Sequence, residues 1–426
     1  MTSISSCIIF EDDLTSNFYP LSLTRPVFDQ LLGSSTLLRQ IIESTAIDSI
    51  GVNVRKHLIP ITRSKNKDIR VNQIDDEGDI LLVNSLINPK STIFKKTLLN
   101  RDTRYVAYVN GNLAAARLPW KKASDILERN TLQIKGLRRL SREYDSLEVD
   151  PSTLFKYPWD LLGRNGNSIS PQHVKSISYK PSKNIEIHGP KNRIIVGKGV
   201  DLEPPISIDV RRGPVLIGDG SKVEAFSRLE GPCFIGKSSS IRSASIRSGS
   251  TIGNACVIGG EVDASIFNDF SNKAHNGYIG NSIIGSWVNL GAMTTNSNLK
   301  NTYGEINMKF GRRKVQTGLQ KWGCIIGDNA KTSIGALIYA STRLGVGSQL
   351  HGWTAVDIPS FTISAQSFGS KPCELDLNSA IRTQRRMMVR RGLKQSDDEV
   401  KLLRDVFRMT RKDRLHLKVR KGRFRL

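Results

Sequence analysis

The sequence predicts an α/β domain, then a triangular β-solenoid, then a basic helical tail, and three observations lead there. Short strand-like apolar runs alternate with helical stretches in the first part, aliphatic residues recur every six positions in the second, and positive charge gathers at the end. At roughly 150 residues per domain, a chain of 426 residues has room for all three.

The first part covers 1–170. Ile8-Ile9-Phe10, Asp79 to Val83 and Tyr105 to Val109 are apolar runs of strand type, separated by helical stretches such as Ser34 to Ser44 and Ala123 to Tyr144. Strands alternating with helices imply a mostly parallel sheet.

The second part, 182–369, is defined by its repeat. From Ile217, aliphatic residues recur at Val223, Leu229, Ile235 and Ile241, and after one shortened step at Ile246, Ile252 and Ile258. The spacing returns at Tyr278, Ile284 and Leu290, then at Ile326, Ile338, Leu344 and Leu350, with Thr332 at the intervening step. An inward aliphatic residue every six positions fits a coil of three short strands joined by tight corners, and a 3.6-residue helical period explains none of it. Glycine often follows the aliphatic position, as in Ile235-Gly236 and Ile252-Gly253, where it suits corner dihedrals. Met293 to Gln320 loses the period and is rich in Asn, Thr, Lys and Arg, which predicts a loop extruded from the solenoid.

The tail, 370–426, predicts helices over Asn378 to Gly392 and Asp397 to Arg414. Ser396 with Glu399 three residues on is a capping box, and Val400, Leu403, Val406 and Phe407 share one face, so the tail should dock. Lys and Arg number 63 against 39 Asp and Glu, a net charge of +24. From Lys371 onward the chain carries 18 basic and 7 acidic residues, so much of the excess belongs to the tail. Such a surplus calls for anionic partners, either nucleic acid held nonspecifically by the tail or phosphate-rich small molecules. Five dispersed cysteines without a C-x-x-C pair read as buried thiols, and the absence of an apolar stretch of about 18 residues predicts a cytoplasmic protein without a membrane span.

Two motifs then carry a resemblance. Tyr19-Pro-Leu-Ser-Leu-Thr-Arg25-Pro26, following Glu11-Asp12-Asp13, resembles the start of sugar-phosphate nucleotidyltransferases, in particular the branch found in Bacteroidetes and archaea. Lys273-Ala-His275-Asn-Gly-Tyr278-Ile-Gly280, Val288-Asn289-Leu-Gly-Ala292 and the later Asn298 resemble the acetyltransferase signature K-A-x-H-x-x-Y-x-G and V-N-x-G-A. Together they are similar to the bifunctional enzymes that make UDP-N-acetylglucosamine. That resemblance implies a Rossmann-like nucleotidyltransferase domain, a left-handed parallel β-helix of hexapeptide repeats, a homotrimer, acetyl-CoA as co-substrate, and Mg2+ for nucleotidyl transfer.

It also implies site residues. His275 is the expected base, since acetyl transfer to a sugar amine needs a group that accepts a proton near neutral pH. Tyr278, Asn289 and Asn298 would orient the acceptor, Arg247 would grip its phosphate with Arg242 as an equally basic neighbour, and Ala292 would contact the coenzyme. Tyr278 stands at an aliphatic register and is expected to pack as well. Lys273 and the run Arg312-Arg313-Lys314 could meet phosphates or form a solvated charge cluster. In the first domain the candidates are Asp12, Arg25 and Asn84. The family's G-x-G-T-R loop is absent, Leu14 to Phe18 taking its place, Tyr19 replaces its Arg and Val27 its Lys, and Asn84-Ser85 stands where a Gly-Asp would hold magnesium. Arg25 could instead cap a helix or pair with Asp12 or Asp29. Three readings follow: a bifunctional enzyme, an acetyltransferase with a degenerate first domain, and a basic non-catalytic solenoid scaffold.

Overall fold

The computed structural model describes residues 4–45, 47–74, 77–128, 140–175, 184–310, 313–422 and 424. Ser182, where the repeat was expected to begin, residues 129–139 of an expected helix, and Arg312 lie outside the described residues. The chain forms two compact units, one of Met1–Phe18, Arg25–Gln30 and Thr36–Pro158, the other of Tyr19–Thr24, Leu31–Ser35 and Trp159–Leu426.

The first unit is an α/β sheet. Its strands are β1 (Ile4–Phe10), β2 (Ile50–Asn53), β3 (Arg70–Val71), β4 (Asp79–Asn84), β5 (Tyr105–Val109), β6 (Asn112–Pro119) and β7 (Asp145–Glu148), in the order β3-β2-β1-β4-β6-β5-β7. Four of the six pairings are parallel, and only β6 runs against its neighbours. β1 and β4 are central, and the apolar runs Ile8-Ile9-Phe10 and Ile80 to Val83 are buried throughout, as continuous hydrophobic strands covered on both faces should be. Helices Leu37–Thr45 and Trp120–Glu128 overlap the expected helical stretches, the first ending one residue later and the second starting three residues earlier than expected.

The second unit is a parallel β-helix. Equivalent strands of successive coils pair in parallel, for example Cys233–Ile235 with Ser250–Ile252, and the repeat residues Ile217, Val223, Leu229, Ile235, Ile241, Ile246, Ile252 and Ile258 are all buried along its axis. The glycines have a different cause from the one expected. The left-handed corner positions are taken by Ser238, Ala255, Phe270, Trp287 and Asn329, with φ from 52 to 64°. The glycine two residues earlier lies where successive coils nearly touch: a Cβ on Gly253 would sit 2.5 Å from Asp269 Oδ1, and one on Gly236 2.5 Å from the Gly253 carbonyl carbon. Side-chain acceptors close the same corners, Asn254 Oδ1 accepting from Lys237 N at 2.9 Å and Asp269 Oδ1 from Asn254 N at 2.7 Å.

The extruded loop begins later than the period suggests. Thr295–Asn296 still pairs with Leu337–Ile338, and the neck closes where Trp322 N donates to Asn298 O at 2.9 Å. Beyond it the antiparallel hairpin Asn307–Phe310/Arg313–Gln316 packs Met308 on the buried Trp322.

The tail forms helices Leu377–Val389, Asp397–Met409 and Arg411–His416, with the Ser396/Glu399 capping box in place. It docks on the last coil. Phe407 meets Phe361 edge-on at 5.2 Å, and the buried Arg414 lies 4.1 Å from the Phe407 ring centroid and bonds Glu374 at 2.6 Å. All five cysteines are buried and free of disulfides, and burial pushes Cys7, Cys233, Cys256 and Cys324 up to about 12. Among the described residues no helix is long and apolar enough to cross a membrane.

Candidate functional site

His275 stands exposed on a corner of the β-helix, between the strands Asn272–Lys273 and Tyr278–Gly280. The Ala292-Met293 corner stacks on it, Met293 N donating to Asn276 O at 2.8 Å, and Gly335 N of the next coil donates to Ala292 O at 2.8 Å. His275 and Ala292 therefore share one column of corners.

On the strand leaving the corner, Tyr278 heads a polar group. Its hydroxyl accepts from Asn298 Nδ2 at 2.9 Å, and Asn298 Nδ2 also donates to Asn281 Oδ1 at 2.7 Å. Asp263 of the preceding coil lies 3.4 Å from the same hydroxyl, and burial with the nearby acidic charges pushes the phenol up to about 12. Tyr278 is not in the inward register. Val262 pairs with Ile279, so Ile279 fills the core and Tyr278 faces outward beside Glu261.

Arg247 lies on the same face, two coils earlier, but carboxylates hold it. Its Nε donates to Glu261 at 3.1 Å and its Nη1 to Glu230 at 2.7 Å, inside a ladder that continues through Arg228 and Asp209. The structure thus brings Arg247 near the Tyr278 group as part of an acid-base ladder. Arg242 sits apart from that ladder, 3.9 Å from Glu224.

Asn289 is on the strand that enters the corner. Its Oδ1 accepts from Asn272 Nδ2 at 2.7 Å, and its backbone pairs with that of Lys331, whose amine donates to Asn329 O at 2.9 Å and is pulled down to about 8 by burial. His275 therefore stands between two polar groups, Asn272/Asn289/Lys331 and Asp263/Tyr278/Asn298. Lys273 is not at the surface at all: it is fully buried, and its Nζ donates to Gly259 O and His275 O, each at 2.9 Å. Asn272, Asp263 and Lys331 were not singled out from the sequence, because their roles depend on which residues stack across coils.

In the α/β unit the candidates collect at one edge. β1 pairs with β2 and β4, so Glu11-Asp12, Asn84 and Arg55 all lie at C-terminal strand ends, where open α/β sheets bind ligands. Asn84 Nδ2 donates to Asp12 Oδ2 at 2.8 Å, and Leu14 N to Asp12 Oδ1 at 3.0 Å. Burial, reinforced by Asp13 and Glu11, raises the Asp12 carboxyl to about 6 against those bonds. Glu11 pairs with Arg55 through two 3.0 Å bonds and accepts from Val27 N at 2.9 Å, while Arg55 Nη2 donates to Arg25 O at 3.3 Å. Arg25 is buried at this edge. The preceding residues serve the other unit: Thr24 Oγ1 donates to Asp328 Oδ2 at 2.7 Å. Among the described residues no group of three or more His, Cys, Asp or Glu is placed to hold a metal ion.

Residues 7–174 match the family model described as sugar nucleotidyl transferase. The chain is similar to the bifunctional sugar-phosphate nucleotidyltransferase/acetyltransferases. It is 30% identical over 219 residues to the bifunctional protein GlmU of Methanococcus vannielii, covering 51% of this chain and 46% of that one. The GlmU of Methanocaldococcus jannaschii is 26% identical over 305 residues, covering 68% and 64%. The bifunctional sugar-1-phosphate nucleotidylyltransferase/acetyltransferase of Sulfurisphaera tokodaii is 28% identical over 97 residues, covering 23% and 24%. The chain spans about half the length of the curated relatives it matches first, 46% and 41%. Among solved structures, an Arabidopsis UDP-N-acetylglucosamine acyltransferase is 14% identical, covering 56% of this chain and 98% of that one, with a TM-score of 0.27.

Proposed function

We propose that the β-helix transfers an acetyl group from acetyl-CoA to the amine of an amino sugar phosphate such as glucosamine-1-phosphate. The α/β unit would then join the acetylated sugar phosphate to a nucleotide. The carrying observation is the exposed His275 corner, with a coenzyme-side candidate, Ala292, in its column and polar groups on both flanks. In the transfer, the neutral amine attacks the thioester carbonyl and His275 accepts the amine proton. The C–N bond forms, the C–S bond breaks, and the thiolate leaves as free coenzyme A after taking up a proton.

At the α/β edge, a sugar-1-phosphate oxygen attacks the α-phosphorus of a nucleoside triphosphate and pyrophosphate leaves. Magnesium would offset the phosphate charge, and Asp12 is the carboxylate that would hold it, with Asn84 orienting that carboxylate through its amide while its own oxygen accepts from Leu86 N. The raised Asp12 carboxyl, crowded by Glu11 and Asp13, is the kind of group a cation relieves. Arg25 would supply positive charge.

A homotrimer fits the row of exposed apolar residues on the last coils, among them Ile334, Leu337, Tyr339, Trp353 and Phe368. One finding favours acetyl transfer alone: Tyr19–Thr24, the best match to the nucleotidyltransferase motif, packs within the β-helix unit. Offering the protein glucosamine-1-phosphate, acetyl-CoA and each nucleoside triphosphate with Mg2+, with thiol and pyrophosphate measured separately, decides between the readings. Thiol release without pyrophosphate leaves the transferase-only reading, and neither product overturns both.

A further inference from the structure

The inward column that runs through Val223, Ile241, Ile258, Lys273, Leu290, Thr332 and Leu350 is aliphatic except at two positions. Thr332 satisfies its hydroxyl on Thr294 and the Gly291 amide. Lys273 is the other, a wholly buried amine between Ile258 and Leu290, where the repeat calls for an aliphatic side chain. Burying an ammonium is costly, and an apolar residue of similar volume usually serves stability as well or better. Breaks in a local rule with no stabilising return concentrate at functional sites.

What this amine touches gives the reason. Its Nζ donates to the carbonyl of His275 itself and to that of Gly259, the equivalent corner of the preceding coil. Room for it is made at Gly260, which has φ 71° and whose Cβ, if it had one, would lie 2.8 Å from Nζ. We propose that Lys273 is a positioning residue that staples the His275 corner from inside the β-helix, fixing the backbone from which the imidazole projects. Burial also lowers the amine to about 8, so the ammonium is held in place by these two carbonyls and not by a counter-charge. The inference rests on the acetyl-transfer reading for its catalytic consequence, but the staple itself is a property of the corner.

The test uses the full-length assembled protein with Lys273→Met, which keeps the volume and removes the donor, and Lys273→Gln, which keeps a shorter donor without charge. Lys273→Met should melt no lower than wild type, while kcat for acetyl transfer falls by about tenfold or more, as displacing a catalytic group by a fraction of an ångström does. KM for both substrates should stay within about threefold, because the group lost touches neither. Lys273→Gln should recover part of kcat. Hydrogen exchange at Glu261 and Met293, whose amides donate to the corner carbonyls of Gly277 and Asn276, should speed up in Lys273→Met, and this readout needs no activity. Unchanged kcat and unchanged exchange overturn the proposal, as does a loss of kcat matched by a fall in melting temperature in both variants. If wild type transfers no acetyl group, the functional reading fails by itself, and the exchange comparison alone decides whether the staple exists.

Discussion

The two units encode their sites in opposite ways. In the β-helix, neighbours in space are one coil apart in sequence, so His275, Asn276, Ala292 and Met293 come together through a repeat with a fixed phase. In the α/β unit, Glu11, Arg25, Arg55 and Asn84 meet only because strands far apart in sequence lie side by side. A repeat tells which residues share a column, whereas a sheet edge gives no such guide until the strand order is known. Substitutions should accordingly separate the units, since residues without shared partners act nearly independently.

The largest effect is expected at the corner. His275→Ala removes the base, and acetyl transfer should fall by about 100- to 10,000-fold with pyrophosphate release unchanged. Thiol release within a few fold of wild type, with the assembly intact, would sink the assignment. Arg25→Ala should do the converse, lowering pyrophosphate release by about 100-fold and leaving thiol release alone. If both activities fall together, the units are not functionally separable and the comparison breaks.

Legibility followed the same division. The solenoid, its core column and the capped tail were readable because each rests on local spacing. The phase around the site was not: counting back six from Ile279 reaches Lys273, a residue no one expects inside, so the register was placed on Tyr278 instead. The charge that hid the pattern is the one the corner uses. Arg247 was indicated by the resemblance alone, and its two carboxylate partners, Glu230 and Glu261, come from other coils and carry no signal in the local sequence. At the sheet edge, Asp12 was indicated by its acidic cluster beside the resembling motif and Asn84 by its place after the apolar run Asp79 to Val83, while Arg55 needed the parallel pairing of β1 with β2.

The buried lysine gives the next effect, a difference in pH dependence between wild type and Lys273→Met. Its folded value is lowered to about 8 from 10.5. Below pH 8 both folded and unfolded chains carry the proton, and the fold bears the full cost of burying the charge. Between pH 8 and 10.5 the folded chain has released the proton and the unfolded chain has not, so raising pH stabilises wild type. The cost removed is on the order of 3 kcal/mol, and titrating cysteines and tyrosines are common to both proteins and cancel in the difference. The stability advantage of Lys273→Met in denaturant melts should therefore shrink as pH rises from 8 to 10.5. A constant difference across that window would show that the amine is not desolvated in the fold.

The smallest effects sharpen the comparison within a single corner, where two residues two apart in sequence respond to opposite needs. Gly253 has an ordinary φ but no room for a Cβ, which would lie 2.5 Å from Asp269 Oδ1 and 2.8 Å from Asp269 N. Gly253→Ala must push coils apart or displace the Asp269 corner bond, and should cost about 1–3 kcal/mol. Ala255 has φ 52°, the left-handed region that a Cβ disfavours by roughly 1–2 kcal/mol. Ala255→Gly relieves that strain but gives the unfolded chain more freedom, worth about 0.5–1 kcal/mol in the other direction. The net gain should be about 0.5 kcal/mol, visible as a small rise in denaturation midpoint with an unchanged slope. Opposite signs for these two substitutions would establish that glycine in this repeat answers to the distance between coils and not to corner dihedrals. Destabilisation by both would mean that Ala255 packs at its corner in a way its backbone angle does not reveal.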